Sequence, residues 1–154
     1  MTQRYHNPFV GIDLLAPIRQ RQVYDRYCQT GGSSVIDSCP FPRMVDLWFT
    51  GICLAVRQGL RPIDLTKEET FKFHDGSVFE SDSWRVQALM LIAIAVAGRV
   101  DIVNEPRRII SLANGLAAAG VPVGVEMIEN GNQPPIWNLS DNIMELLRSE
   151  GTTG

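Results

Sequence analysis

From about Ser83 to Gly98 the chain runs almost without polar interruption. After Gln87 no charged or strongly polar side chain occurs until Arg99. Trp84, Val86, Leu89, Met90, Leu91, Ile92, Ile94 and Val96 stand there with alanines between them. A helix that is apolar all round cannot leave a face in water cheaply, so the pattern predicts a buried central helix. Other segments carry the signature of one wet face. Between Pro42 and Gly59 the polar residues Arg43, Asp46, Thr50 and Arg57 fall at helical spacings, which predicts an amphipathic helix with a wide apolar face. Gly59 and Pro62 supply its stop. Ile109, Ile110, Leu112, Ala113, Leu116 and Ala117 form a stripe that predicts a helix capped by Asn104 and closed by Gly120 and Pro122. A short helix at Val123–Glu129 and a last one at Ser140–Ser149 follow. A polar, Arg-rich helix is expected between Ile18 and Gln29, ended by the Gly31-Gly32-Ser33-Ser34 loop.

Period-two alternation occurs once. Phe71, Phe73, Val78 and Phe79 surround Asp75-Gly76, a pair that favours hairpin turns. A three-residue loop with a bulge would gather the aromatics on one face. Ser81 and Asp82 are placed to cap the apolar helix. The expected fold is mainly α: a compact helical domain of about five to six helices around a buried central helix, with one small β-hairpin. Residues 1–154 read as a single domain, with an irregular N-terminal arm at 1–17 and a frayed tail at 150–154.

Composition narrows the setting. Apolar residues make up 45% and charged residues 20%, a balance that supports a packed core rather than disorder. The net charge of -3 argues against bulk attraction to nucleic acid or an anionic membrane. The longest apolar run, Ala88–Ala97, is about half of what a bilayer core requires. No leader pattern opens the chain. Cys28, Cys39 and Cys53, odd in number and irregular in spacing, do not read as a disulfide framework. A cytoplasmic protein without membrane contact is expected.

No motif for catalysis, cofactor binding or metal binding emerges. His6 and His74 lie in different segments and the cysteines are too widely spaced for zinc. Cys53 reads as an inert core residue; Cys28 and Cys39 flank a loop and are expected to be the accessible pair, within reach of His74 only by tertiary accident. Gly115 to Gly120 has the glycine spacing of a phosphate loop, but Val121 and Pro122 replace the Lys and Ser/Thr, and the segment closes a helix instead of opening one. Gly51 and Gly115 read as close-contact glycines. Arg19, Arg21 and Arg26, with Tyr24 between them, form the best polyanion or partner patch; Arg107 and Arg108 form a second, in a first helical turn where cations oppose the dipole. Trp137 is the expected exposed anchor, in a loop.

Three segments together resemble a known family. They are Met44 to Val56, Trp84 to Ala95 and Ile109 to Gly120, in that order and spacing. They are similar to small helical accessory proteins that accompany bacterial DNA-phosphorothioation and related anti-phage defence systems. The resemblance implies a non-enzymatic adaptor subunit beside a nuclease or ATPase, acting through protein partners or self-association. It transfers no catalytic residue. A small DNA-binding protein using residues 19–27, and an enzyme whose site is shared with a partner chain, are the alternatives.

Overall fold

The computed structural model describes residues 6–31 and 35–149; the expected frayed tail at 150–154 lies outside them. In chain order the elements are β1 (Asp13–Pro17), α1 (Arg21–Tyr27), α2 (Met44–Arg57), β2 (Thr70–Asp75), α3 (Ser83–Ala97), α4 (Pro106–Glu129) and α5 (Pro135–Arg148), with short 3-10 turns between several of them. The mainly α architecture with one small antiparallel β element is as expected. Three details differ: which helix is central, where α4 and α5 begin and end, and which segment pairs with β2.

The central helix is α4, not α3. Half of the 24 residues of α4 are buried, including Ile109, Ile110, Leu116, Val121 and Ile128. It crosses α2 at very short range. A Cβ on Gly51 would lie 2.8 Å from a Val121 methyl and 3.0 Å from the Ala117 carbonyl oxygen, and a Cβ on Gly120 would fall on the Gly51 carbonyl. Gly120 is therefore a crossing residue and not the helix stop. The expected break at Pro122 also fails to occur: α4 runs on to Glu129 with Pro122 inside it. Proline removes the N–H that would have bonded the carbonyl four residues back. That carbonyl, on Ala118, accepts instead from Gln20 Nε2 at 2.9 Å, and Gln20 is buried for the purpose. Gly115 is also a contact glycine, but its neighbour is the Pro62-Ile63 segment rather than a helix: a Cβ there would lie 2.6 Å from the Ile63 carbonyl oxygen.

β2 pairs with β1 and not with the residues after Asp75-Gly76. The antiparallel register runs Asp13 to Asp75 and Pro17 to Thr70, with an irregularity between Leu14 and Leu15. Part of the expected irregular arm is therefore a strand. Asp75-Gly76 makes no hairpin turn. The Asp75 carboxylate accepts the Ser77 N–H at 2.7 Å and so opens a 3-10 turn over Gly76–Glu80. Gly76 is required for proximity, because a Cβ would run into the Phe9 backbone. The aromatics still gather as expected. Phe73 and Phe79 both meet Trp48, at centroid distances of 6.3 and 6.1 Å, and Tyr24 stacks on Phe73 at 5.5 Å.

Buried Asn114 on α4 ties the layers together. Its Oδ1 accepts the Trp48 indole N–H at 3.1 Å and the Leu15 N–H at 3.0 Å, and its Nδ2 donates to the Asp13 carbonyl at 3.4 Å. One amide thus holds α2, α4 and β1, and satisfies groups that would otherwise be buried unpaired. By length and hydropathy α4 could cross a bilayer, but 61% of its most apolar window is buried inside the fold, as in a core helix.

Candidate interaction face

The helix that sequence reasoning placed at the centre lies on the outside. In α3 only Val86, Leu89 and Ala93 are buried. Met90, Ile92 and Ile94 are half-buried against the core. Leu91 is 67% exposed, Trp84 55% and, just beyond the helix, Val100 69%. Ala95 and Val96 are exposed as well. The helix is equally apolar on every side but is covered on one. A monomer that shows single apolar side chains to water needs no explanation; a strip along one helix does.

The N-terminal end of this strip is fixed in place by a partly buried network. Arg85 donates from Nη2 to Asp46 Oδ1 at 2.6 Å, and its guanidinium lies 5.0 Å from the ring centroids of both Phe49 and Trp84. Arg43 donates to Asp82 Oδ2 at 2.8 Å and to Asp46 Oδ1 at 3.2 Å. Two guanidiniums therefore alternate with two carboxylates across the junction of α2 and α3. These hydrogen bonds, to Asp82 first and to Asp46 second, push the Arg43 pKa above its ordinary value. Asp82 was expected to cap α3; its side chain caps nothing, because the two arginines take it. Arg85 Nε and Nη1 are buried without a hydrogen-bond partner, covered by the aromatic rings. The Trp84 indole meets the Phe49 edge at 5.3 Å and 80°. It is thus a large apolar anchor, half in water and already immobilised, the kind of group that dominates protein interfaces.

A second apolar strip lies on α5. Trp137 is 54% exposed, as expected, but it stands in the first turn of the helix and not in a loop; Met144 and Leu147 are exposed about two and three turns beyond it. The opposite side of α5 is held to the end of α4 by Asn138, which donates to the Ile128 carbonyl at 3.0 Å, and by Asn142, which donates to the Met127 carbonyl at 2.8 Å.

The arginine patches do not assemble into one face. Tyr24 is completely buried, and desolvation raises its phenol pKa. Arg19 pairs with Glu68 at 2.9 Å, Arg21 lies over the Phe71 ring and Arg26 over the Tyr27 ring. Arg108 pairs with Glu105 at 3.4 Å. Arg107 is exposed at the rim of a shallow cavity of about 360 Å³ that Asp13, Thr66, Ser111 and Asn114 also line.

The cysteines are arranged opposite to expectation. Cys28 and Cys39 are buried and Cys53 is exposed. Burial, helped by the Asp46 charge, pushes the Cys28 thiol up to about 12. Cys39 Sγ donates to the Arg26 carbonyl at 3.2 Å. His74 is turned to its own backbone, its Nδ1 accepting the Asp75 N–H at 2.8 Å. Among the described residues no group of three or more His, Cys, Asp or Glu is arranged to hold a metal ion.

Sequence reasoning missed the strip because periodicity reports only asymmetry, and α3 has none. A signal was present in the next helix. Gly115, Gly120 and Gly124 with the intervening alanines mark a helix built for close approach on several sides, which is what a central helix needs. Comparison of the chain with family models, with curated proteins and with solved structures returns no match.

Proposed function

We propose that this chain is a non-enzymatic accessory subunit that works by binding other protein chains through the apolar strips of α3 and α5. One observation carries the reading: a helix without a polar face is covered on one side only, with Leu91 and Trp84 more than half exposed. Exposing such a strip costs free energy of roughly 25 cal/mol for each Å² left in water, which a partner recovers on binding. The fixed Trp84 adds to this, since an anchor that is already ordered loses little entropy on association. The resemblance to accessory proteins of DNA-phosphorothioation and related defence systems supplies the setting: a bacterial assembly in which a nuclease or ATPase performs the chemistry.

The test is retention of other proteins by the tagged chain in its own host, with cross-linking and mass spectrometry. We expect a second protein species whose cross-links cluster on α3 or α5, and at least tenfold lower recovery with Leu91→Glu or Trp137→Ala. Recovery of the chain with no other protein would remove the adaptor reading.

A further inference from the structure

We infer that the exposed strip of α3 is covered by the same strip of a second copy, packed antiparallel about a twofold axis near Leu91. The inference rests on the reading of α3 as an interaction face, and it assigns that face to self-association, leaving the α5 strip for any different partner.

Trp84, Ala88, Leu91 and Ala95 follow one another at spacings of four, three and four, and Gly98 follows after three more. That is the 3.5-residue repeat of a helix seam that packs against another helix. Along it large and small residues alternate. Antiparallel pairing about Leu91 sets residue 84 opposite residue 98, and residue 88 opposite residue 94 or 95. The bulky Trp84 of one copy then meets Ala95 and Gly98 of the other, and the alanines allow the helix backbones to approach. A Cβ on Gly98 would have nothing within 4 Å, so the seat for the indole is open. A twofold interface requires a surface complementary to itself, and this strip is one.

Charge agrees with the same arrangement. No charged side chain lies on the strip between Arg85 and Arg99. Glu80, before α3, is exposed and has no cationic partner among the described residues. Beyond the other end stand Arg99 and Arg108, which hold Glu105 between them at 2.6 and 3.4 Å, with Asp101 also on Arg99 at 2.9 Å. Antiparallel pairing brings Glu80 of one copy toward those guanidiniums of the other and opposes the helix dipoles favourably. Parallel pairing would set Glu80 beside Glu80. A partner with an acidic face would gain nothing from an uncharged strip.

Two measurements on the purified chain with Cys53→Ser test the inference. Sedimentation equilibrium should show a dimer whose fraction rises with concentration, and Leu91→Glu should raise the dissociation constant at least tenfold. Under mild oxidation Leu91→Cys should form an intermolecular disulfide, because the two sulfurs meet at the axis. Ala95→Cys should not, since the two residues would stand about 12 Å apart along the helices, beyond disulfide reach. A strictly monomeric mass, a dimer that Leu91→Cys cannot cross-link, or equal cross-linking at both positions would overturn it. A monomer that still retains another protein through Trp137 removes this inference alone; a cross-linked dimer that retains no other protein removes the adaptor reading alone.

Discussion

At the scale of single residues, the fold depends on positions where one atom decides the packing. Gly120 and Gly51 occupy the crossing of α2 and α4, and neither position admits a methyl group without moving backbone. Replacing a helical glycine by alanine ordinarily stabilises by up to about 1 kcal/mol. At Gly120 we expect the sign to reverse, with a loss of at least about 3 kcal/mol in urea unfolding. Gly124→Ala is the control: its new methyl would meet only Leu54 Cδ1, at 3.4 Å, so a neutral or slightly stabilising effect is expected. Gln20 serves a comparable purpose through hydrogen bonding. Gln20→Leu would leave the Ala118 carbonyl without a donor beside Pro122 and is expected to destabilise by about 1–3 kcal/mol, measurable in the same assay. The cysteines give a chemical check of burial. Iodoacetamide should modify Cys53 alone in the native protein, and slowly at neutral pH, because desolvation raises its thiol pKa. Labelling of Cys28 or Cys39 without denaturant would contradict the packing of α1. Asp75 offers a pH check. Its hydrogen bonds with Ser77 hold the carboxyl below its ordinary value. Its contribution to stability is therefore present above the unfolded carboxylate range, near about pH 4, and is lost as pH falls through the lower folded value. Thermal melts of Asp75→Asn and wild type should differ at pH 7 and converge toward pH 2.

At the scale of elements, helix existence was legible and helix role was not. The amphipathic pattern located α2 within two residues at each end, because four polar residues on one face and a glycine stop are local signals. The same local logic misplaced α3. Hydrophobicity states what a segment would bury if covered, and it does not state whether the molecule itself supplies the cover. Gly120 and Pro122 read as a stop because the compensating groups lie far away in sequence: Gln20 is 98 residues from the Ala118 carbonyl it serves, and the Gly51 backbone belongs to a different helix. Asp75-Gly76 read as a hairpin for the same reason: the partner strand, Asp13–Pro17, lies more than fifty residues earlier and no window around the turn contains it. Of the proposed contact residues, Trp137 is exposed as its sequence context indicated, while Tyr24 belongs to the core and the arginines beside it are divided among Glu68, Phe71 and Tyr27. The Arg43–Asp46–Arg85–Asp82 network was invisible in the sequence, since its two halves stand 39 residues apart and only the packing of α2 on α3 joins them.

At the scale of the whole molecule, a well-packed core and an uncovered apolar helix coexist in one chain. α4 supplies the core, with α2, α5 and the small sheet around it; α3 closes one side and turns the rest of its surface outward. An exposed apolar strip of that kind marks a candidate interaction face. The most direct measurement is light scattering of wild type and Leu91→Glu, each paired with a thermal melt. We expect wild type to associate, Leu91→Glu to be monomeric, and the two to share a melting temperature when compared at concentrations too low for association, because Leu91 belongs to no core. A Leu91→Glu chain that unfolds many degrees earlier under those conditions would show that α3 is a buried helix after all, and a wild-type chain that stays monomeric and binds nothing would show that its exposed strip is not an interface.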